Sequence, residues 1–213
     1  MSVLGLALPR LSLSAYCCGE FKQVNLEDYL GQTLILVFYP LDFTFVCPTE
    51  IIGFSKARSE FSKVGAEVLL VSCDSVYSHK AWAERKDGGI YGHGLPMLSD
   101  CNGGLSRAFG IYKEDEGRSY RATIILKNGV VVYELVHADP IGRSTKEILR
   151  VVKALKFNEE HGDICPLDWN EEEEGKEVTA MDGIKVLDDS GRARQVAAET
   201  SSTDPSGNAT TDG

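Results

Sequence analysis

The chain has 213 residues, 43% of them hydrophobic and 25% charged, with a formal net charge of −10. That is an ordinary globular composition, long enough for one principal domain and an appendage. There is no clustered Lys/Arg face of the kind phosphate binding requires, which argues against nucleic acid, and no apolar run approaches the roughly 18 residues needed to cross a bilayer.

The acidity is local. Residues 171–213 hold 11 Asp+Glu against 4 Lys+Arg, which leaves 21 against 18 for residues 1–170. The N-terminal "MSVLGLALPR" has no charged region before its short apolar run, so the chain reads as cytoplasmic with no visible address.

Apolar, β-rich runs predict strands at "TLILVFY" (33–39), "VLLVSC" (68–73) and "ATIILK" (122–127), each buried on both faces. A fourth strand, "VVVYELV" (130–136), follows Asn128-Gly129, a pair suited to a tight hairpin. Between the first two runs, Phe54, Ala57, Phe61 and Val64 repeat on one helical face. A second helix is expected around "YSHKAWAERK". In the third, Ser144 and Glu147 have capping-box spacing, and Ile148, Val151, Val152 and Leu155 share a side. This order predicts an α/β fold, a central mixed sheet flanked by helices. After Trp169 the composition changes: "EEEEGKEV" opens a segment without Phe, Tyr or Trp, which has room for a short hairpin at most, and residues from about 197 on read as a disordered polar tail.

Six cysteines (17, 18, 47, 73, 101, 165) do not make the dense pattern of a small secreted scaffold. Each is therefore a buried small hydrophobe or a reactive thiol. Cys73 ends a predicted strand and reads as core. Cys101 reads as incidental, and the adjacent Cys17 and Cys18 make a strained pair at best. With no C-x-x-C and four scattered histidines (79, 93, 137, 161), there is neither a zinc pattern nor a dithiol-reductase motif, so no metal and no cofactor is expected. The histidines read as surface or structural.

Cys47 differs. An unperturbed thiol is only a few per cent thiolate at neutral pH, so reactivity needs surroundings that favour the anion. "FYPLDFTFVCPTE" (38–50) places Cys47 at the first turn of a predicted helix, near unpaired backbone N–H groups and the positive end of the dipole, with Pro48 suited to the first helical position. Thr44 offers a hydroxyl to the sulfur or to an incoming oxygen, and Pro40 walls off water without adding an N–H. The cation must come from elsewhere in the chain.

The stretch resembles the active-site segment of the peroxiredoxins, thiol peroxidases of the thioredoxin-like fold. Pro40, Thr44 and Cys47 complete their P-x-x-x-T-x-x-C motif, and the flanking residues resemble the typical two-cysteine subgroup. The resemblance runs from about Phe21 to Trp169 and includes "HKAW", "LSRAFGIY", "SYRATIIL", "PIGRS" and "HGDICPLDW". It implies a thioredoxin-like domain over 1–157, an extended C-terminal arm over 158–196 and a polar tail over 197–213. It also implies that Arg121 is the active-site arginine, that Glu50 orients it, that Arg143 is a second nearby cation, and that Cys165 is the resolving cysteine. The implied reaction reduces hydrogen peroxide or an organic hydroperoxide through a Cys47 sulfenic acid. An intersubunit disulfide with Cys165 follows, reduced by a thioredoxin-like dithiol protein, in a homodimer that can join a decameric ring.

Two departures from the resemblance stand out. Oxidation-sensitive members carry a Gly-Gly-Leu-Gly loop and a C-terminal Tyr-Phe helix. Here the loop reads Gly88, Gly89, Ile90, Tyr91, Gly92 and the tail has no aromatic residue, so resistance to overoxidation is expected. The other readings are a holdase chaperone, a cysteine hydrolase and a one-cysteine peroxidase mechanism.

Overall fold

The computed structural model describes residues 2–162 and 165–170, together with the backbone of 186–187 and 193–194. In chain order, a hairpin of β1 (Ser12–Cys17) and β2 (Glu20–Asn25) leads through a 3-10 turn (Leu26–Tyr29) into β3 (Thr33–Phe38) and α1 (Cys47–Lys63). Then come β4 (Ala66–Ser72), α2 (Val76–Ala83), β5 (Met97–Ser99), α3 (Gly104–Ala108), the small hairpin β6 (Tyr112–Lys113) and β7 (Arg118–Ser119), β8 (Arg121–Lys127), β9 (Val130–His137) and α4 (Thr145–His161).

Seven strands form one mixed sheet in the order β2-β1-β5-β4-β3-β8-β9. β3, β4 and β5 are parallel to their neighbours among themselves, and the outer pairings are antiparallel. The four predicted strands and three predicted helices are all present. Side chains alternate across β3 as strand geometry requires. Ile35 and Val37 enter a core with Ile51, Phe54 and Phe61 of α1 and Ile148 and Val152 of α4. Leu34, Leu36 and Phe38 enter a second core with Leu105, Phe109 and the N-terminal Val3 and Leu8. The central strands are therefore buried on both faces and read as continuous apolar runs.

Helix ends follow local chemistry. α1 stops where Gly65, at φ +73, takes the left-handed conformation that a side chain would resist. α4 ends on Gly162, also left-handed, whose N–H donates to Asn158 O at 2.8 Å. At its start, Ser144 Oγ accepts from the Glu147 N–H at 3.3 Å. The Glu147 carboxylate, which a full capping box would turn back to the Ser144 N–H, pairs with Arg150 at 2.7 Å.

The chain divides into two units, Met1–Cys165 and Pro166–Gly213. α4 continues past residue 157, and the division falls at 165/166. In the second unit β10 (Val186–Leu187) pairs antiparallel with β11 (Ala193–Arg194), where a short hairpin was the most that composition allowed. The tail from about 197 lies outside the described residues.

Candidate active site

Sheet topology explains how distant residues converge on Cys47. β3 ends beside the start of β8, with Phe38 opposite Ala122, so Arg121 enters the sheet at the end of the strand from which the Cys47 loop departs. β8 in turn pairs with β9, with Arg121 opposite His137, which brings the chain after β9 back to the same place. Asp139 and Arg143 lie on that returning segment. The register supplies the cation that the local sequence around Cys47 lacks.

Cys47 is the first residue of α1 and only 1% exposed. Val46 precedes it in helical conformation without a side-chain cap, and Pro48 occupies the first turn. Arg121 Nη1 donates to Cys47 Sγ at 3.6 Å. The same nitrogen donates to Glu50 Oε2, while Nε and Nη2 donate to the Asp139 carbonyl at 3.1 and 2.8 Å. The guanidinium is thus fixed from two sides with one edge toward the sulfur.

Glu50 is gripped again from Arg143. Arg143 donates from Nε and its backbone N–H to Oε1 at 2.9 and 2.8 Å, and from Nη2 to Oε2 at 2.9 Å. Arg143 Nη1 reaches Phe38 O and Ala122 O at 2.9 and 2.7 Å, tying the helix start to β3 and β8. Burial alone pushes the Glu50 carboxyl up, but the hydrogen bonds and charge of Arg143, with the charge of Arg121, outweigh it and hold the group below its ordinary value. Arg121, Glu50 and Arg143 side chains are at most 3% exposed. Two guanidinium charges meet one carboxylate here. An anionic sulfur brings the group to neutrality, whereas a thiol leaves one buried positive charge uncompensated.

The loop between β3 and α1 completes the surroundings. Pro40 is buried. Thr44 Oγ1 donates to Leu41 O at 2.9 Å, inside its own loop. Of the two partners expected for this hydroxyl, the sulfur or an incoming oxygen, the bond to Leu41 leaves its oxygen as an acceptor for the second. Cys165 Sγ donates to Ala154 O at 3.5 Å on α4, and no disulfide joins it to Cys47. The structure brings Cys47, Glu50, Arg121 and Arg143 into direct contact and holds Cys165 at a different partner.

Some groups at the site carried no signal in the chain. Asp139 presents its carbonyl to Arg121 while its Oδ2 pairs with Lys113 and Arg118 at 2.7 and 2.8 Å. His79, read as surface or structural, is fully buried under the loop. Its Nδ1 lies 2.9 Å from Asp42 Oδ2, and Asp42 also accepts from Tyr39 and Ser78. His93 is buried too, and its Nδ1 accepts the Leu95 N–H at 3.2 Å. Neither histidine lies in a cluster suited to a metal, and none exists among the described residues. No helix is long and apolar enough to cross a membrane among those residues.

Comparison with known proteins gives consistent matches. The AhpC/TSA family profile matches residues 4–134. Peroxiredoxin-4 of Dictyostelium discoideum is 46% identical over 166 residues, covering 76% of this chain and 64% of that protein. A putative thioredoxin peroxidase of Encephalitozoon cuniculi is 48% identical over 163 residues, covering 74% and 91%. Among solved structures, the reduced 2-Cys peroxiredoxin of Plasmodium vivax is similar with a TM-score of 0.77 at 38% identity, covering 80% of this chain and 90% of that one.

Proposed function

Because this chain belongs to the AhpC/TSA family of peroxiredoxins, we propose that its Cys47 centre reduces hydrogen peroxide and organic hydroperoxides in a two-cysteine cycle. The Cys47 thiolate attacks one peroxide oxygen, forming an S–O bond as the O–O bond breaks. The leaving oxygen takes a proton and departs as water or an alcohol, and Cys47 becomes a sulfenic acid. The Cys165 thiol then condenses with it, forming the disulfide and releasing water, and a thioredoxin-like dithiol protein restores both thiols.

Each side chain has a role that its contacts support. Arg121 orients the thiolate and the peroxide oxygen through its planar donor fork, which a lysine does not reproduce. Glu50 holds Arg121 and Arg143 in place. Thr44 accepts the proton-bearing end of the peroxide, and Pro40 shields the pocket floor from water.

The carrying observation is the 3.6 Å approach of Arg121 Nη1 to Cys47 Sγ by a guanidinium immobilised on its other edges. Arg121→Ala is expected to slow peroxide consumption by about 10²–10³-fold. Arg121→Lys should recover only part of that loss. Stopped-flow peroxide reduction measures both, and an unchanged rate in the alanine variant would overturn the assignment.

Cys165 follows α4, its sulfur donates to Ala154 O on that helix and it forms no disulfide with Cys47 of the same chain, which supports pairing between two chains of a homodimer, with decameric rings assembled from such dimers. The domain division proposed is a thioredoxin-like body that ends with Cys165, followed by a C-terminal arm. A cytoplasmic location completes the reading, and cell fractionation tests it.

A further inference from the structure

Cys17 and Cys18 lie outside the peroxidase centre, Cys17 as the last residue of β1 and Cys18 in the turn to β2. Neighbours in an extended strand point to opposite faces, so adjacent cysteines ordinarily hold their sulfurs apart. Here the chain turns within two residues: Cys17 pairs with Glu20, and Cys18 and Gly19 have φ of 55° and 92°. The left-handed conformation at Cys18, unusual for a residue other than Gly, Asn or Asp, swings its side chain back. The two sulfurs meet at 3.2 Å. Cys17 is buried and Cys18 exposed, so the pair has one anchored and one accessible sulfur.

That spacing discriminates among thiol chemistries. A disulfide needs Cα atoms roughly 4.4–6.8 Å apart, and the trans peptide between the two residues holds them at about 3.8 Å, so closure strains the turn. Tetrahedral zinc with bonds of about 2.3 Å separates two sulfurs by about 3.8 Å and needs further ligands. No third His, Cys, Asp or Glu completes such a group among the described residues. A pyramidal trivalent centre with bonds of about that length and near-right angles separates two sulfurs by about 3.3 Å. It also brings its own third substituent.

We propose that Cys17 and Cys18 form a two-sulfur binding site for a trivalent, thiophilic electrophile of the organoarsenical class. With an arsenic(III) oxide, two S–H bonds break and two As–S bonds form, and both protons leave with the arsenic-bound oxygen as one water. No electron is transferred. Burial first, and then the Cys18 hydrogen bond, push the Cys17 thiol up to about 11. This raises no obstacle, since the condensation consumes protonated thiols and returns water. Entry is from the exposed Cys18 side, where the thiol donates to the Gly94 carbonyl at 3.8 Å.

The test uses the reduced full-length chain and phenylarsine oxide, followed by a monothiol wash and trypsin. Cleavage after Arg10 and Lys22 releases residues 11–22, which hold both cysteines and no other. One phenylarsenic group is expected on this peptide, released by a small dithiol. Cys18→Ser should retain about a hundredfold less, because the second attachment is no longer intramolecular. Cys17→Ser should behave alike, with peroxide consumption reporting that both variants are folded. Arsenic absent from 11–22, or retained equally by Cys18→Ser, would overturn the proposal.

Discussion

Glu50 lies between two guanidinium groups in a space almost closed to solvent, and its charge organises the site. Replacing it by Gln removes the carboxylate charge that compensates Arg121 and Arg143, a buried-charge defect that costs about 3–5 kcal/mol. Denaturant unfolding of Glu50→Gln should show a loss of that size. The pH dependence has a definite sign. A carboxyl held below its ordinary value contributes stability that is fully present above the unfolded value and is lost as pH falls through the folded one. Wild type should therefore lose stability below about pH 4.5, and the Gln variant should lack that component. Of these residues, Cys47, Thr44 and Pro40 were legible because their spacing is local. Asp139 was not, because its contribution to Arg121 is a backbone carbonyl that any residue type carries.

The segment between α2 and β5 offers a test at the scale of an element. His93 is 5% exposed, and burial, with a smaller contribution from His79, pulls it down to about 4. Its Nδ1 accepts the Leu95 N–H, which fixes the neutral form with the proton on Nε2. In the unfolded chain the ring takes up a proton near pH 6.5, so stability is full above that value and declines between 6.5 and about 4. The decline should amount to about 2–3 kcal/mol, and His93→Asn should flatten it in thermal unfolding followed across this pH range. The elements missed by sequence reading have physical causes. β2 is an edge strand with every residue but Val24 exposed, so it carries no apolar alternation. β5 has only three residues, too few to show a period. The long central strands were legible because burial on both faces leaves a continuous apolar run.

At the level of the whole molecule, the proposed cycle couples two thiols distant in sequence. Non-reducing electrophoresis after peroxide treatment should show a dimer band in wild type that is absent in Cys47→Ser and in Cys165→Ser. A band surviving in Cys165→Ser would assign the resolving role elsewhere. The α/β layering was legible from the strand and helix order, whereas the junction of strand ends that brings Arg121 to Cys47 depends on sheet register. Pairing partners are set by contacts between distant segments, and no local pattern specifies them. The acidic segment after Cys165 and the altered overoxidation features of the tail fall outside the described residues.

In the proposed cycle peroxide reacts first at the Cys47 sulfur. Cys165→Ser, treated with one equivalent of hydrogen peroxide in the presence of a sulfenic-acid trap, isolates that first step. Peptide mass spectrometry should find the trapped adduct at Cys47 in stoichiometric yield, with the other cysteines unmodified. An unmodified Cys47 alongside consumed peroxide, or an adduct mainly at another cysteine, would rule out Cys47 as the reacting thiol.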